Sequence, residues 1–164
     1  MRIIPYILYL LLISFYQTIG IGLISIGPAH IQLTALIVLL VALRKEYLAS
    51  LWFAMAAGLI YDAQDPGRLG AQMMILTLIC MATSLAKERL NLESIQSRIL
   101  LVLVGLVLYT IPETLLYTTS GTTEFPLVLA RVGLPSIVYT AAVATAIFLF
   151  QSGLWSWRKF RALF

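Results

Sequence analysis

Six apolar runs separated by short polar breaks make up nearly the whole chain. They are Ile3–Ile26, Ile31–Leu43, Tyr47–Tyr61, Gly70–Ala86, Ile99–Tyr117 and Leu127–Phe150. A helix crossing a bilayer perpendicularly takes ~20 residues, within a working range of about 17–25. The pattern therefore predicts an all-α membrane protein with about six transmembrane helices. The second and third runs are short unless their flanks are included. They predict tilted spans, a pair beside thinned bilayer, or a partly re-entrant hairpin.

Composition agrees with this reading. The 164 residues are 61% apolar and 11% charged, against ~45–50% apolar in soluble domains, and the mean hydropathy is +0.97. Residues 1–164 thus read as one integral membrane domain with little mass left for a soluble head. The first run is longer than the ~7–15 residues of a secretory h-region, and only Arg2 precedes it. Gly27-Pro28-Ala29 is a poor cleavage site, so a retained first helix is expected.

The basic residues give the expected orientation. With six spans and the N-terminus inside, the inner segments hold nine of the eleven: Arg2, Arg44, Lys45, Lys87, Arg89, Arg98, Arg158, Lys159 and Arg161. The outer side holds Arg68 and Arg131. That asymmetry predicts cytoplasmic N- and C-termini. Trp155 and Trp157 precede Arg158, Lys159 and Arg161, and this tail reads as an interface anchor, with contact to a cytoplasmic partner as the alternative. The net charge of +4 is dispersed over the ends of the runs. It is no nucleic-acid signal.

Chemistry-bearing residues are few. His30 is the single histidine and Cys80 the single cysteine, which leaves no disulfide and one candidate for any histidine-based site. No nucleophile elbow or phosphate-cradling glycine loop occurs. An intramembrane aspartyl protease needs two facing carboxylates, and Asp65 lies in the same turn as Asp62. No enzyme activity, metal or cofactor is expected.

The remaining polar residues predict helix packing. Asp62, followed by Pro66-Gly67, suits a turn at an outer helix end, and its functional reading is a polar anchor on the rim of a binding surface. Glu113 and Arg131 lie at similar depth on neighbouring antiparallel runs, which predicts an ion pair or shared polar network. Pro112 is expected to kink the fifth helix, and Pro135 could do the same in the sixth. Ala54-x-x-x-Gly58 is a small-residue spacing that lets two helices approach closely, within the fold or toward a partner. Gln17, Gln32 and Gln72 are candidates for cross-helix hydrogen bonds.

Several of these residues fall in an ordered pattern. Pro28, Gln32-Leu33, Val41-Ala42-Leu43-Arg44, Gly58-Leu59-Ile60-Tyr61-Asp62 and Pro66-Gly67-Arg68-Leu69-Gly70 follow one another in the chain. Together they resemble the bacterial rod shape-determining MreD family, in length and short basic tail as well. That family often carries an acid directly after the proline, where this chain has Ala29 and His30. Asp62 is then the surviving carboxylate of the pattern.

The resemblance implies a non-enzymatic scaffold of the cell-elongation complex that binds MreC and helps control peptidoglycan synthesis. It also implies indirect association with MreB, a SEDS glycosyltransferase and a class B transpeptidase, and a fold like the substrate-binding subunits of energy-coupling-factor transporters. Gly58, Asp62, Pro66, Gly67, Arg68 and Gly70 would form the partner-binding rim. The alternative is a substrate-binding subunit for vitamin or metal uptake, which needs a polar pocket near the outer face.

Overall fold

A computed structural model describes residues 4–20, 31–64, 67, 69–90, 94–118 and 125–161, the side chains at 4, 5, 19, 20, 95, 117 and 151–161 excepted. The described residues are helical apart from short connections. Helix α1 (Ile4–Phe15) continues into a π-helical turn at Tyr16–Gly20, followed by α2 (Leu33–Arg44), α3 (Tyr47–Asp62), α4 (Ala71–Arg89) and α5 (Ile95–Tyr117). A last rod comprises α6 (Phe125–Val128), a π turn (Leu129–Gly133) and α7 (Leu134–Arg161).

Among the described residues, two stretches are long and apolar enough to cross a membrane, Gln96–Leu116 and Phe125–Phe150. Helix α2 is much shorter: its 12 residues rise roughly 18 Å, against a hydrocarbon core of about 30 Å. It compensates by position. Thr34 to Leu39, Val41 and Ala42 are all buried, so α2 is apolar nearly all round and serves as the central strut. Leu36 and Leu39 pack there with Phe53 of α3, Leu76 of α4 and Leu106 of α5.

The run ends differ from the helix ends in two instructive places. Helix α4 extends to Arg89, beyond Ala86, because Lys87 turns back: its Nζ donates to the carbonyls of Lys45 (2.9 Å) and Ala42 (3.4 Å). An ammonium there satisfies orphan carbonyls at the α2 C-terminus and suits its dipole. Helix α5 starts at Ile95, four residues before its apolar run, because Ser94 is an N-cap whose hydroxyl accepts from the Ser97 amide at 3.1 Å. Pro112 lies inside α5 without ending it. Pro135 follows the π turn, where the Leu134 amide donates to the Leu129 carbonyl, five residues back.

The two ends of the bundle differ in chemistry. At one end Lys45 and Lys87 meet, and the Lys45 ammonium lies 5.5 Å over the Tyr6 ring. Tyr6 and Tyr9 in turn pack on Phe53, at 6.0 and 6.4 Å between ring centroids. The opposite end gathers the C-termini of α1, α3 and α5 with the N-termini of α2, α4 and the last rod. Most of the buried polar side chains among the described residues collect there, while Ser50, Thr83 and Ser84 lie toward the lysine end.

Candidate functional site

The polar end begins with the α3–α4 turn. Gly70, the N-cap of α4, has φ +90°, a left-handed conformation that glycine adopts without steric cost. A glycine cap has no side chain to satisfy the first amides of its helix, and Asp62 supplies that function from the end of α3. Its Oδ2 accepts from the amides of Gly70 and Met73, and its Oδ1 from Gln72, each at 3.0 Å. The carboxylate also faces the positive end of the α4 dipole.

Two of the residues expected at the partner rim lie inside the α3–α4 hairpin. Asp62 is 2% exposed with both oxygens engaged, and it acts as a cap between helices. Gly58 belongs to the same internal hairpin: a Cβ there would lie 2.3 Å from Met73 Cα. Its small size allows the α3 and α4 backbones to touch. Ala63, Gln64, Gly67 and Leu69 are exposed in the turn, and Gly70 is half-buried. Pro66 and Arg68 lie outside the described residues, as do His30 and the side chains of Trp155, Trp157, Arg158, Lys159 and Arg161.

Behind the turn runs a buried polar network. Glu113 Oε1 accepts from the Tyr109 hydroxyl at 3.0 Å, and Oε2 from Gln32 Nε2 at 3.2 Å. Tyr109 also lies 3.2 Å from Gln72 Oε1, linking α5 to α4. Gln32 Nε2 donates to Thr110 Oγ1 as well (3.0 Å), while its backbone amide donates to Thr140 Oγ1 (3.0 Å) on α7. Nearby, Gln17 Nε2 donates to Thr34 Oγ1 and the Tyr16 hydroxyl to the Ile31 carbonyl. All three glutamines thus bridge helices, as their place in apolar runs suggests.

Glu113 and Arg131, expected to share an ion pair or a polar network, have different surroundings. Glu113 is 7% exposed and its carboxyl is held by neutral donors, whereas Arg131 sits exposed on the π turn. Among the described residues no ion pair joins them. The structure uses an amide and a phenol because they reach the carboxyl from α2 and α5 without bringing a second charge into the membrane.

Beside this network opens a cavity of about 240 Å³. Gln32 and Thr110 lie toward its base, Glu113 and Thr114 line the α5 wall, and Val128, Val132, Gly133 and Ser136 come from the last rod. The π turn contributes two of those residues, and such turns often mark functional places in helices. Among the described residues, no group of three or more metal-ligating side chains is found.

Comparison with known proteins gives one family. The family model described as rod shape-determining protein MreD matches residues 2–156. No curated protein and no solved structure matches the chain.

Proposed function

The chain belongs to the MreD family of rod shape-determining membrane proteins, and from that premise we propose that it is a non-enzymatic scaffold that docks the transmembrane helix of MreC. In this reading it is a multi-pass subunit of the bacterial cytoplasmic membrane with both termini inside. Through MreC it supports the assembly of MreB, a SEDS glycosyltransferase and a class B transpeptidase, and so influences peptidoglycan synthesis and cell shape.

The observation that carries the reading is a stripe on α4. Met74, Leu78, Met81 and Leu85 are all exposed and repeat at intervals of four, three and four residues, the spacing with which one helix packs along another. Two are methionines, whose flexible thioethers adapt to a partner surface. The stripe starts beside the Asp62-capped turn, where exposed Gly67 and Leu69 continue it beyond the helix end. The tight α3–α4 contact at Gly58 makes a firm backing. Replacing Leu78 and Met81 by Trp should reduce co-purification of MreC several-fold while leaving the melting temperature unchanged. Leu11→Trp, on the exposed face of α1, is the control and should have no effect. Undiminished recovery of MreC with the α4 variant would reject this surface.

The cavity bears on the transporter alternative. Sites for drug-sized molecules measure ≈ 300–1,000 Å³, and a space of about 240 Å³ is small for a vitamin. A vitamin panel should accordingly give no thermal stabilisation, which a true substrate would produce by mass action.

A further inference from the structure

We propose that Glu113 is a proton-binding site, whose Oε1 carries a hydrogen and donates it to Tyr109, completing a hydrogen-bonded chain from α5 to α4. The site is independent of MreC docking. It follows from a count of hydrogens. The Tyr109 hydroxyl oxygen lies 3.0 Å from Glu113 Oε1 and 3.2 Å from Gln72 Oε1. Both neighbours are acceptors when the carboxyl is ionised, and a phenol has one hydrogen to give. Donated to Glu113, that hydrogen leaves the Gln72 carbonyl, on a side chain 5% exposed, facing a lone pair. Donated to Gln72, it leaves a phenol oxygen and a carboxylate oxygen face to face with none between them.

A hydrogen on Glu113 Oε1 resolves both contacts. Glu113 then donates to Tyr109 and Tyr109 donates to Gln72, so the two bonds run in one direction and polarise each other. Gln32 Nε2 donates to the other carboxyl oxygen, Oε2, at 3.2 Å with or without the proton. Loss of the proton reverses the chain: Tyr109 turns its hydrogen to the carboxylate, and Gln72 Oε1 loses the donor that ties α4 to α5. The proton is thus a removable link between two helices.

The surroundings favour the neutral form. Glu113 is 7% exposed inside the span Gln96–Leu116, and no ion pair reaches it among the described residues. The groups packed about it are uncharged: Gln32 from α2, the Tyr61 phenol from α3, Tyr109 on α5 itself and Ser136 from the last rod. Gln72 of α4 meets it only through Tyr109. Asp62 is committed to three amides of α4, and Arg131 is exposed. The cavity beside Glu113 presents almost only apolar surface, which does little to solvate a charge. A carboxylate so placed is costly, and keeping the proton removes the cost.

Infrared spectroscopy of the full chain in lipid vesicles at pH 7 tests the site. Exposed carboxyls are ionised at that pH, and only a protonated acid gives a carboxylic C=O stretch. The wild type should show this band with the intensity of a single carboxyl, lowered in frequency in heavy water, and Glu113→Gln should lose it. Glutamate isotope-labelled at its side-chain carboxyl should also lower the frequency in the wild type, which assigns the band even if the variant fails to fold. Tyr109→Phe should keep the band but move it to higher frequency, because the acid O–H loses its acceptor. A tyrosine that only fills space would leave the frequency unchanged, and that result would overturn the link to Gln72. A wild type without the band, in which Gln72 must turn its amide nitrogen toward Tyr109, overturns the proposal. So does a band that survives Glu113→Gln and ignores the glutamate label.

Discussion

Asp62 shows how much one side chain can hold together. Its carboxylate takes three backbone amides of the next helix, where an ordinary N-cap satisfies one or two. Asp62→Ala leaves those amides without a partner in a site that is 2% exposed. Cap removal costs up to ~2 kcal/mol and a fully buried orphaned amide about 1–3 kcal/mol; only the Gln72 bond is fully buried, so a loss of about 2–4 kcal/mol is expected. Asp62→Asn keeps one accepting oxygen but turns an amine toward the amides, and should fall between alanine and wild type. Thermal or denaturant unfolding in detergent measures both, and an alanine variant as stable as wild type would deny the cap its role. The turn itself was legible from the sequence, through an acid followed by Pro66-Gly67. Its hydrogen bonding was not, because nothing in the local pattern says that Gly70 takes a positive φ and leaves its helix uncapped.

At the scale of elements, close approach and irregular helices organise the bundle. Gly58 faces Met73 so closely that even one added methyl would meet backbone. Gly58→Ala should cost about 1–3 kcal/mol by overpacking, and Gly58→Leu more, by forcing α3 and α4 apart. The melting temperature of the isolated protein reads this directly, and loss of MreC binding by Gly58→Leu without loss of stability would favour a partner contact instead. Helix positions were mostly legible, since uninterrupted apolar runs leave few alternatives. Helix ends were not: Lys87 and Arg89 extend α4 by reaching back to carbonyls or toward water, and Ser94 starts α5 ahead of its apolar run. The Glu113 network was also hidden. Its partners Gln32 and Tyr109 are neutral, and Gln32 is 81 positions away in the chain.

For the whole molecule, the two chemically different ends give the sidedness its physical form. Lys45, Lys87 and Tyr6 cluster at one end, while Asp62, Gln72 and Glu113 lie toward the other. Basic residues kept inside predict that the lysine end is cytoplasmic. Cysteines introduced at Leu69, which is 65% exposed, and at Ser94 should then label from opposite sides of the membrane, Leu69→Cys from outside. The native Cys80 is buried and should add little background. Labelling of both positions from one side would refute the arrangement.

The Asp62 cap also bears on how the protein is made. A helical hairpin entering lipid must hide the polar backbone at its turn or keep it in water. Helices α3 and α4 bring their own solution, since the acid that ends one helix neutralises the exposed amides of the next within eight to eleven residues. The hydrogen bonds that close this turn therefore need no residue from outside the pair. The Glu113 network must wait for residues from both halves of the chain. The cap is thus complete within the α3–α4 hairpin, whereas the polar end closes only with residues from both halves of the chain.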